Sequence, residues 1–296
     1  MNKAVIIFNP TAGILTKQDI RGLTEEKLRS LGYEPRVILL NGDYEKNIAG
    51  QDFSEVGLFV AVGGDGTVKV AARTLIENNL KVPLAIIPFG SANVVANTLN
   101  IPLNLKDALK LLEEPRAQAV DVGLINKRQL FLVGFSLGYV SHIIISTEKE
   151  LKNRFGHFGY LVKLFFNKIR IARIKFKIET RQKTYWIKGN SLIIFNAFNY
   201  FGFRPKKEIK MDDGLFNLYV VTNKTFWTMF EAAVGVLFYT HPPKHIFSLD
   251  GDWFRLSLVR KKRYLNSCQI DGDRLNLSNN MEIEVLPRAI EILVKK

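Results

Sequence analysis

Three short polar segments, each following an apolar run, carry the residues that could do chemistry in the first half of this chain. Gly63-Gly64-Asp65-Gly66-Thr67 follows Leu58–Val62 and opens into a helical pattern, so glycines stand where backbone N–H groups must approach a ligand closely. That composition suits a phosphate cradle. The glycines permit a tight turn, the helix N-terminus adds partial positive charge, Thr67 offers a hydroxyl, and Asp65 could orient a metal or a nucleophile. No Gly-Lys-Ser/Thr is present, which excludes a Walker loop, and the spacing is not GxGxxG. The plainer reading is a glycine-rich turn with an Asp cap. Asn9-Pro10-Thr11-Ala12-Gly13 follows the first apolar run, and Pro88-Phe89-Gly90-Ser91-Ala92-Asn93 the fourth. An Asn-Pro turn is usually only a turn. Ligands in open α/β sheets bind at the carboxyl ends of strands, however, so three such loops together favour one nucleotide crevice.

Other candidates are weaker. Gly134-Phe135-Ser136-Leu137-Gly138 matches the Gly-x-Ser-x-Gly pattern of an acyl-transfer elbow, but no helical pattern clearly follows it. His142, His157, His241 and His245 share no metal-ligand spacing with the single cysteine, Cys268, and read as structural or solvated. Arg260-Lys261-Lys262-Arg263 reads as a solvated hairpin tip or a contact for anionic headgroups or nucleic acid.

The elements that position these loops follow from periodicity. Compact apolar runs at Ala4–Phe8, Pro35–Leu40, Leu58–Val62 and Leu84–Pro88 predict strands buried on both faces. Helical spacing at Lys17–Leu31, Thr67–Asn78 and Leu105–Leu112 falls between or after them; Val68, Ala71, Ala72 and Leu75 form one such face. Beyond Asp121 the pattern changes to period-two alternation. In Arg173 to Ile178 one face is wholly basic and the other wholly apolar. Further strands are expected at Tyr185–Lys188, Ser191–Asn196, Leu215–Val221, Phe254–Leu258, Gln269–Asp271 and Met281–Leu286, and a helix at Phe155–Ile171. The expected fold is an α/β N-terminal Rossmann-like domain with flanking helices, then a β-rich antiparallel sandwich-like C-terminal domain. The predicted boundary is 1–124 and 125–296, with the last residues able to pack back on the first domain.

Of the 296 residues 47% are hydrophobic and 24% charged, which excludes a disordered or collagen-like chain. The net charge of +14 is unevenly placed: residues 1–125 sum to −1 and residues 126–296 to +15. Lys149 to Lys188 holds 12 basic residues and two acidic ones. An anionic partner for the second half follows. One cysteine excludes an internal disulfide framework and suits a reducing cytoplasm. The first apolar run meets Asn9-Pro10 and is too short for a signal-peptide core. Phe226–Tyr239, about 14 residues including Glu231, falls short of the roughly 20 that span a bilayer.

In combination these segments resemble the diacylglycerol kinase catalytic-domain family, which includes bacterial lipid kinases and sphingosine and ceramide kinases. The ordered set is Asn9 to Gly13, Gly63 to Thr67, Pro88 to Asn93, Asp121-Val122-Gly123, Lys210-Met211-Asp212-Asp213-Gly214-Leu215 and Gln269-Ile270-Asp271-Gly272-Asp273. The resemblance implies ATP and Mg²⁺ as cofactors. It implies nucleotide binding by Asn9, Pro10, Thr11, Ala12, Gly13, Gly64, Asp65, Gly66, Thr67 and Ser91. Catalytic roles fall to Asp65, Asp271 and Asp273, the last two on the family's Asp-Gly-Glu motif, whose acids are assigned to the general base role. A metal is implied around Asp213, with the main-chain oxygens of Lys210 and Leu215 beside it, and Asp121 belongs to a carboxylate network about catalytic Mg²⁺. A hairpin turn is the plainer reading of Asp212-Asp213-Gly214. The chain departs from the family at Ile14, Lys69, Val70, Val94 and Val140, and Asp273 stands where Glu is usual.

The expectation is therefore an ATP-dependent lipid kinase, cytoplasmic and peripherally membrane-associated. It would act on a neutral lipid such as diacylglycerol at an anionic membrane surface. No nucleic acid is expected, since no RNA or DNA module is recognised, and the oligomeric state stays open. The alternatives are a soluble-substrate kinase of the NAD kinase type, which shares Gly-Gly-Asp-Gly-Thr, and a catalytically weak lipid-binding or regulatory homologue, which Val70, Val94 and Val140 motivate.

Overall fold

The structure is a computed structural model that describes residues 2–10, 17–41, 44–147, 173–199, 208–222, 245–258, 267–276 and 280–296. Thr11, Ala12, Gly13, Ile14, His157, His241, the predicted helix 155–171, the apolar stretch 226–239 and the basic run 260–263 lie outside the described residues. The chain forms two compact units. Unit 1 comprises Met1–Val122, Asn199–Gly202 and Pro287–Lys296; unit 2 comprises Gly123–Phe198 and Phe203–Leu286.

Unit 1 runs β1 (Asn2–Phe8), α1 (Lys17–Ser30), β2 (Tyr33–Leu39), α2 (Tyr44–Ala49), β3 (Val56–Gly63), α3 (Asp65–Glu77), β4 (Leu84–Pro88), α4 (Val94–Thr98), α5 (Leu105–Leu111) and most of β5 (Pro115–Ile125). β1 pairs in parallel with β2 and β3, and β3 with β4, giving the order β2-β1-β3-β4. Ala4 to Ile7, Leu58 to Val62 and Leu84 to Ile87 are buried throughout, because helices cover both faces of a parallel sheet. Ile20, Thr24 and Leu28 of α1 recur every four residues and are buried, as are Val68, Ala71, Ala72 and Leu75 of α3. Asn104 caps α5 by accepting the Asp107 N–H at 2.9 Å.

Unit 2 continues with β6 (Gln129–Phe131), β7 (Gly134–Gly138), α6 (Tyr139–Thr147), β8 (Ile174–Glu179), β9 (Thr184–Gly189), β10 (Ser191–Phe195), β11 (Phe216–Val221), β12 (Ile246–Gly251), β13 (Trp253–Leu258), β14 (Cys268–Ile270), β15 (Asp273–Leu275) and β16 (Asn280–Lys295). One antiparallel sheet has the order β12-β11-β10-β7-β14-β15. The other contains β9, β8, β13 and the first half of β16, and β6 joins it through the end of β5. Phe135, Leu137, Leu192, Ile194, Phe216 and Leu218 of the first sheet share one buried cluster with Ile174, Phe176, Ile178, Phe254 and Ile283 of the second, so this unit is a sandwich. β16 is longer than the predicted Met281–Leu286. Beyond Pro287 it belongs to unit 1, where Ile292 pairs with Leu84 of β4. Among the described residues no helix is long and apolar enough to cross a membrane.

Candidate functional site

Parallel pairing of β1, β3 and β4 puts their carboxyl ends on one edge of the unit 1 sheet. Two hydrogen bonds tie the loops that leave it. The Asn9 N–H donates to the Val62 carbonyl at 3.2 Å, and the Phe89 N–H to the Gly63 carbonyl at 2.8 Å. The Gly64 and Gly90 backbones meet so closely that a Cβ on Gly90 would collide with the Gly64 Cα, and one on Gly64 would stand 3.1 Å from the Gly90 Cα. Any side chain at either position would force the two loops apart. Gly66 is exposed with open space around it, and Ser91 is exposed.

Asp65 fastens this corner. It is the first residue of α3, and its carboxylate accepts the Val94 N–H on Oδ2 and the Val95 N–H on Oδ1, both at 3.0 Å. These are N–H groups of the first turn of α4, which have no partner within their own helix. Burial pushes the Asp65 carboxyl above its ordinary value of 3.8, against the Val95 and Val94 N–H groups, which favour the ion. Asn93, in the left-handed region at φ 47°, closes the other loop: its Oδ1 accepts the Gly90 N–H at 3.0 Å and its Nδ2 donates to the Gly90 carbonyl at 2.9 Å. The Asn97 amide donates to the Ala92 carbonyl at 3.0 Å, and the Asn199 amide to the Asn97 carbonyl at 2.8 Å. None of these three asparagines was among the predicted site residues. Only Asn93, three places after Gly90, had a readable signal. The Val94 side chain is buried.

Whether these residues suit a nucleotide can be judged from two features. The Gly64–Gly90 contact packs the two glycine loops backbone to backbone, with the exposed Gly66 and Ser91 beside it, and the Thr67 hydroxyl is buried with no hydrogen-bond partner among the described residues. An unsatisfied hydroxyl at the first turn of a helix is a ready donor to a phosphate oxygen. The donor set fits. For a divalent cation, no group of three or more His, Cys, Asp or Glu occurs among the described residues. Mg²⁺ commonly binds through one or two carboxylates with substrate phosphates and water, so one or two acids suffice. Asp121 is fully buried and its Oδ1 accepts the Arg288 N–H at 2.8 Å.

In unit 2, Lys210 to Leu215 form a bend rather than a hairpin. Asp213 is exposed, its Oδ1 accepting the Leu215 N–H at 3.0 Å, and Gly214 takes φ 73°. Asp271 and Gly272, at φ 50° and 91°, are the two loop residues between β14 and β15, with Ile270 paired to Asp273. This is the usual Asp-Gly hairpin turn. The Asp271 carboxylate accepts three backbone N–H groups: Leu132 on Oδ2 at 3.0 Å, and Val133 and Gly134 on Oδ1 at 2.9 Å. The Asp271 N–H donates to the Gly134 carbonyl at 2.9 Å. Buried Gln269, not predicted, holds the same turn: its Oε1 accepts the Gly272 N–H at 2.6 Å and its Nε2 donates to the Ser136 hydroxyl at 2.8 Å. Asp273 begins β15 and is exposed.

The Gly-x-Ser-x-Gly segment is corrected in one respect: a helix, α6, does follow it. Ser136 nevertheless lies mid-strand, buried and bonded to Ser141 at 2.8 Å, instead of at the strand-to-helix turn an elbow requires. Its flanking glycines serve packing, since a Cβ on Gly134 or Gly138 would strike the β10 strand or the Asn190 carbonyl before it.

The profile of the diacylglycerol kinase catalytic domain matches residues 3–125. The first part of the chain is therefore similar to that catalytic domain. The chain is 28% identical over 226 residues to a diacylglycerol kinase of Staphylococcus aureus (strain bovine RF122 / ET3-1), covering 74% of this chain and 70% of that one. It is also 28% identical over 239 residues to a YegS-like probable lipid kinase of Klebsiella pneumoniae (strain 342), covering 78% and 75%. A crystal structure of a diacylglycerol kinase from Bacillus anthracis str. Sterne superposes with a TM-score of 0.78 at 24% identity, covering 99% of this chain and 97% of that one, and so shares the fold. The α/β unit followed by a β-rich antiparallel unit is the architecture shared with that structure.

Proposed function

We propose that the chain is an ATP-dependent lipid kinase that passes the γ-phosphoryl group to the hydroxyl of a neutral lipid, diacylglycerol first among candidates. It would work as a cytoplasmic protein at a membrane surface. The observation that carries this reading is the unsatisfied Thr67 hydroxyl in the first turn of α3, beside the two glycine loops that Asp65 and the Gly64–Gly90 contact hold together. On this reading residues 1–124 take the nucleotide and residues 125–296 the lipid. Backbone N–H groups around Gly64 to Thr67, the loop at Ser91 and the segment from Asn9 to Gly13 hold the phosphates in line for transfer. Mg²⁺ arriving with the nucleotide supplies charge neutralisation, with Asp121 in the carboxylate set that orders it. Lys210, Asp213 and Leu215 would hold a separate structural cation through oxygen ligands.

For the proton on the acceptor hydroxyl, Asp273 is the better placed of the two motif acids. Asp271 already accepts three N–H groups, which take up most of its lone-pair sites, whereas Asp273 is exposed at the end of the turn. Asp271 then acts by positioning that turn. Mg-ATP and a panel of neutral lipids, with mass analysis of the products, test the reading: a phosphorylated lipid is expected. None, beside an active control kinase, would overturn it in favour of a lipid-binding homologue without catalysis, the second reading that the departure from the family pattern at Val94 supports.

A further inference from the structure

One face of unit 2 has a composition that phosphoryl transfer does not call for. Along β8, Ile174, Phe176 and Ile178 point into the sandwich, so Lys175, Lys177 and Glu179 point out. On β9, Thr184, Trp186 and Lys188 are exposed. The register sets Lys175 opposite Lys188 and Lys177 opposite Trp186. Like charges directly opposite on neighbouring strands destabilise a sheet, so the Lys175–Lys188 pair has a cost that folding alone does not explain. Glu179 is bound to Lys177 at 2.9 Å, and Glu282 to Arg255 at 3.5 Å, but among the described residues neither Lys175 nor Lys188 makes an ion pair.

Trp186 is the second anomaly. It is 52% exposed, the most exposed of the large apolar side chains described, and it stands between lysines: the Lys175 Nζ is 4.5 Å and the Lys177 Nζ 6.0 Å from its ring centroid. The pattern repeats next door, where Arg255 and Arg181 lie 5.3 and 6.0 Å from the Trp253 ring. An exposed indole flanked by two lysines on the outer face of a sheet suits a boundary that is anionic at the surface and apolar just beneath it. Indoles settle at that boundary in bilayers, and lysines there face the headgroup charge.

We propose that the outer face of β8 and β9, centred on Trp186 with Lys175, Lys177 and Lys188, is a docking surface for an anionic bilayer. The choice of a membrane over other polyanions rests on the lipid-kinase reading. Trp186 would enter the headgroup layer while the lysines neutralise lipid charge, giving binding that weakens with salt.

Cosedimentation of the full chain with phosphatidylcholine vesicles, with and without phosphatidylserine, tests this at low and physiological salt. Wild type should prefer the anionic vesicles. The triple variant Lys175→Gln, Lys177→Gln, Lys188→Gln should lose about 100-fold in affinity, at about fivefold per lysine. Removing equal charge from exposed Lys81, Lys106 and Lys110 of unit 1 should change it by less than about fivefold. Brominated lipid should quench a component of tryptophan fluorescence that Trp186→Phe abolishes. Equal loss in both triple variants, absence of that quenching, or tighter binding to single-stranded RNA than to anionic vesicles at matched salt would each overturn the assignment. ATP binding measured on the same samples separates the two readings: vesicle binding through this face without ATP binding would remove the kinase and leave the docking surface standing.

Discussion

The corner at Asp65 and the corner at Asp271 read alike in sequence, each an Asp-Gly pair at the end of an apolar strand, and in both the carboxylate grips the backbone of another segment. They differ in what they grip. Asp65 takes two N–H groups from the start of a helix, which that helix cannot satisfy itself, while Asp271 takes three in a row from the segment entering β7. In each case the group suited to the proposed chemistry lies two residues on: the hydroxyl of Thr67, buried and unpartnered, and the carboxylate of Asp273, exposed. An aspartate inside a recognisable motif can therefore be the fastener, with its neighbour the working group.

The sharpest way to break this comparison is to change the two motif acids separately. Asp273→Asn should lower lipid phosphorylation by about 10²–10⁴-fold, the range for loss of a general base, with a far smaller shift of the urea midpoint than Asp271→Ala gives. Asp271→Ala should instead cost about 3–5 kcal/mol of stability, because three N–H groups lose a charged acceptor together. Asp271→Asn should recover part of that, since its one remaining oxygen can still accept the Val133 and Gly134 N–H groups. If Asp271→Asn abolishes turnover with stability intact, Asp271 is the base and the division of labour fails.

Thr67→Val makes the matching test in unit 1. It removes a buried hydroxyl that has no partner while keeping the side-chain shape, so the unliganded protein should gain about 1–2 kcal/mol. ATP affinity should fall about tenfold, the worth of one lost hydrogen bond to a charged group. Loss of stability and affinity together would mean that the hydroxyl serves the fold.

Particular residues explain how far the sequence could be read. β1, β3 and β4 were legible because they are short apolar runs buried on both faces, and the Ile174–Ile178 alternation because one face is wet; β2, expected to be equally buried, is the edge strand and only Ile38 in it is buried. Helix α6 was not legible, since Ile143, Ile144 and Ile145 favour a strand by local preference and only packing settles the matter. The 11-residue β5 opens with Pro115-Arg116-Ala117-Gln118, which carries no strand signal. Of the site, glycine loops and acids were visible as types. The grip of Asp271 was not, because its donors lie 137 to 139 residues away in sequence.

The smallest expected effect separates the two fasteners by their response to pH. Burial is the dominant influence on Asp65 and raises its folded-state value above 3.8, so between the unfolded and folded values the native protein holds a proton that the unfolded chain has lost. The associated stability is full below the unfolded value and is lost as pH rises through the folded one. Asp65→Asn cannot titrate. The stability of wild type relative to this variant, taken from urea melts between about pH 4 and 7, should therefore decline with rising pH and then level off. An increase instead would mean that the Val94 and Val95 N–H groups outweigh burial. Asp65 would then be a charge clamp of the Asp271 kind, and the two corners would differ only in what they carry two residues on.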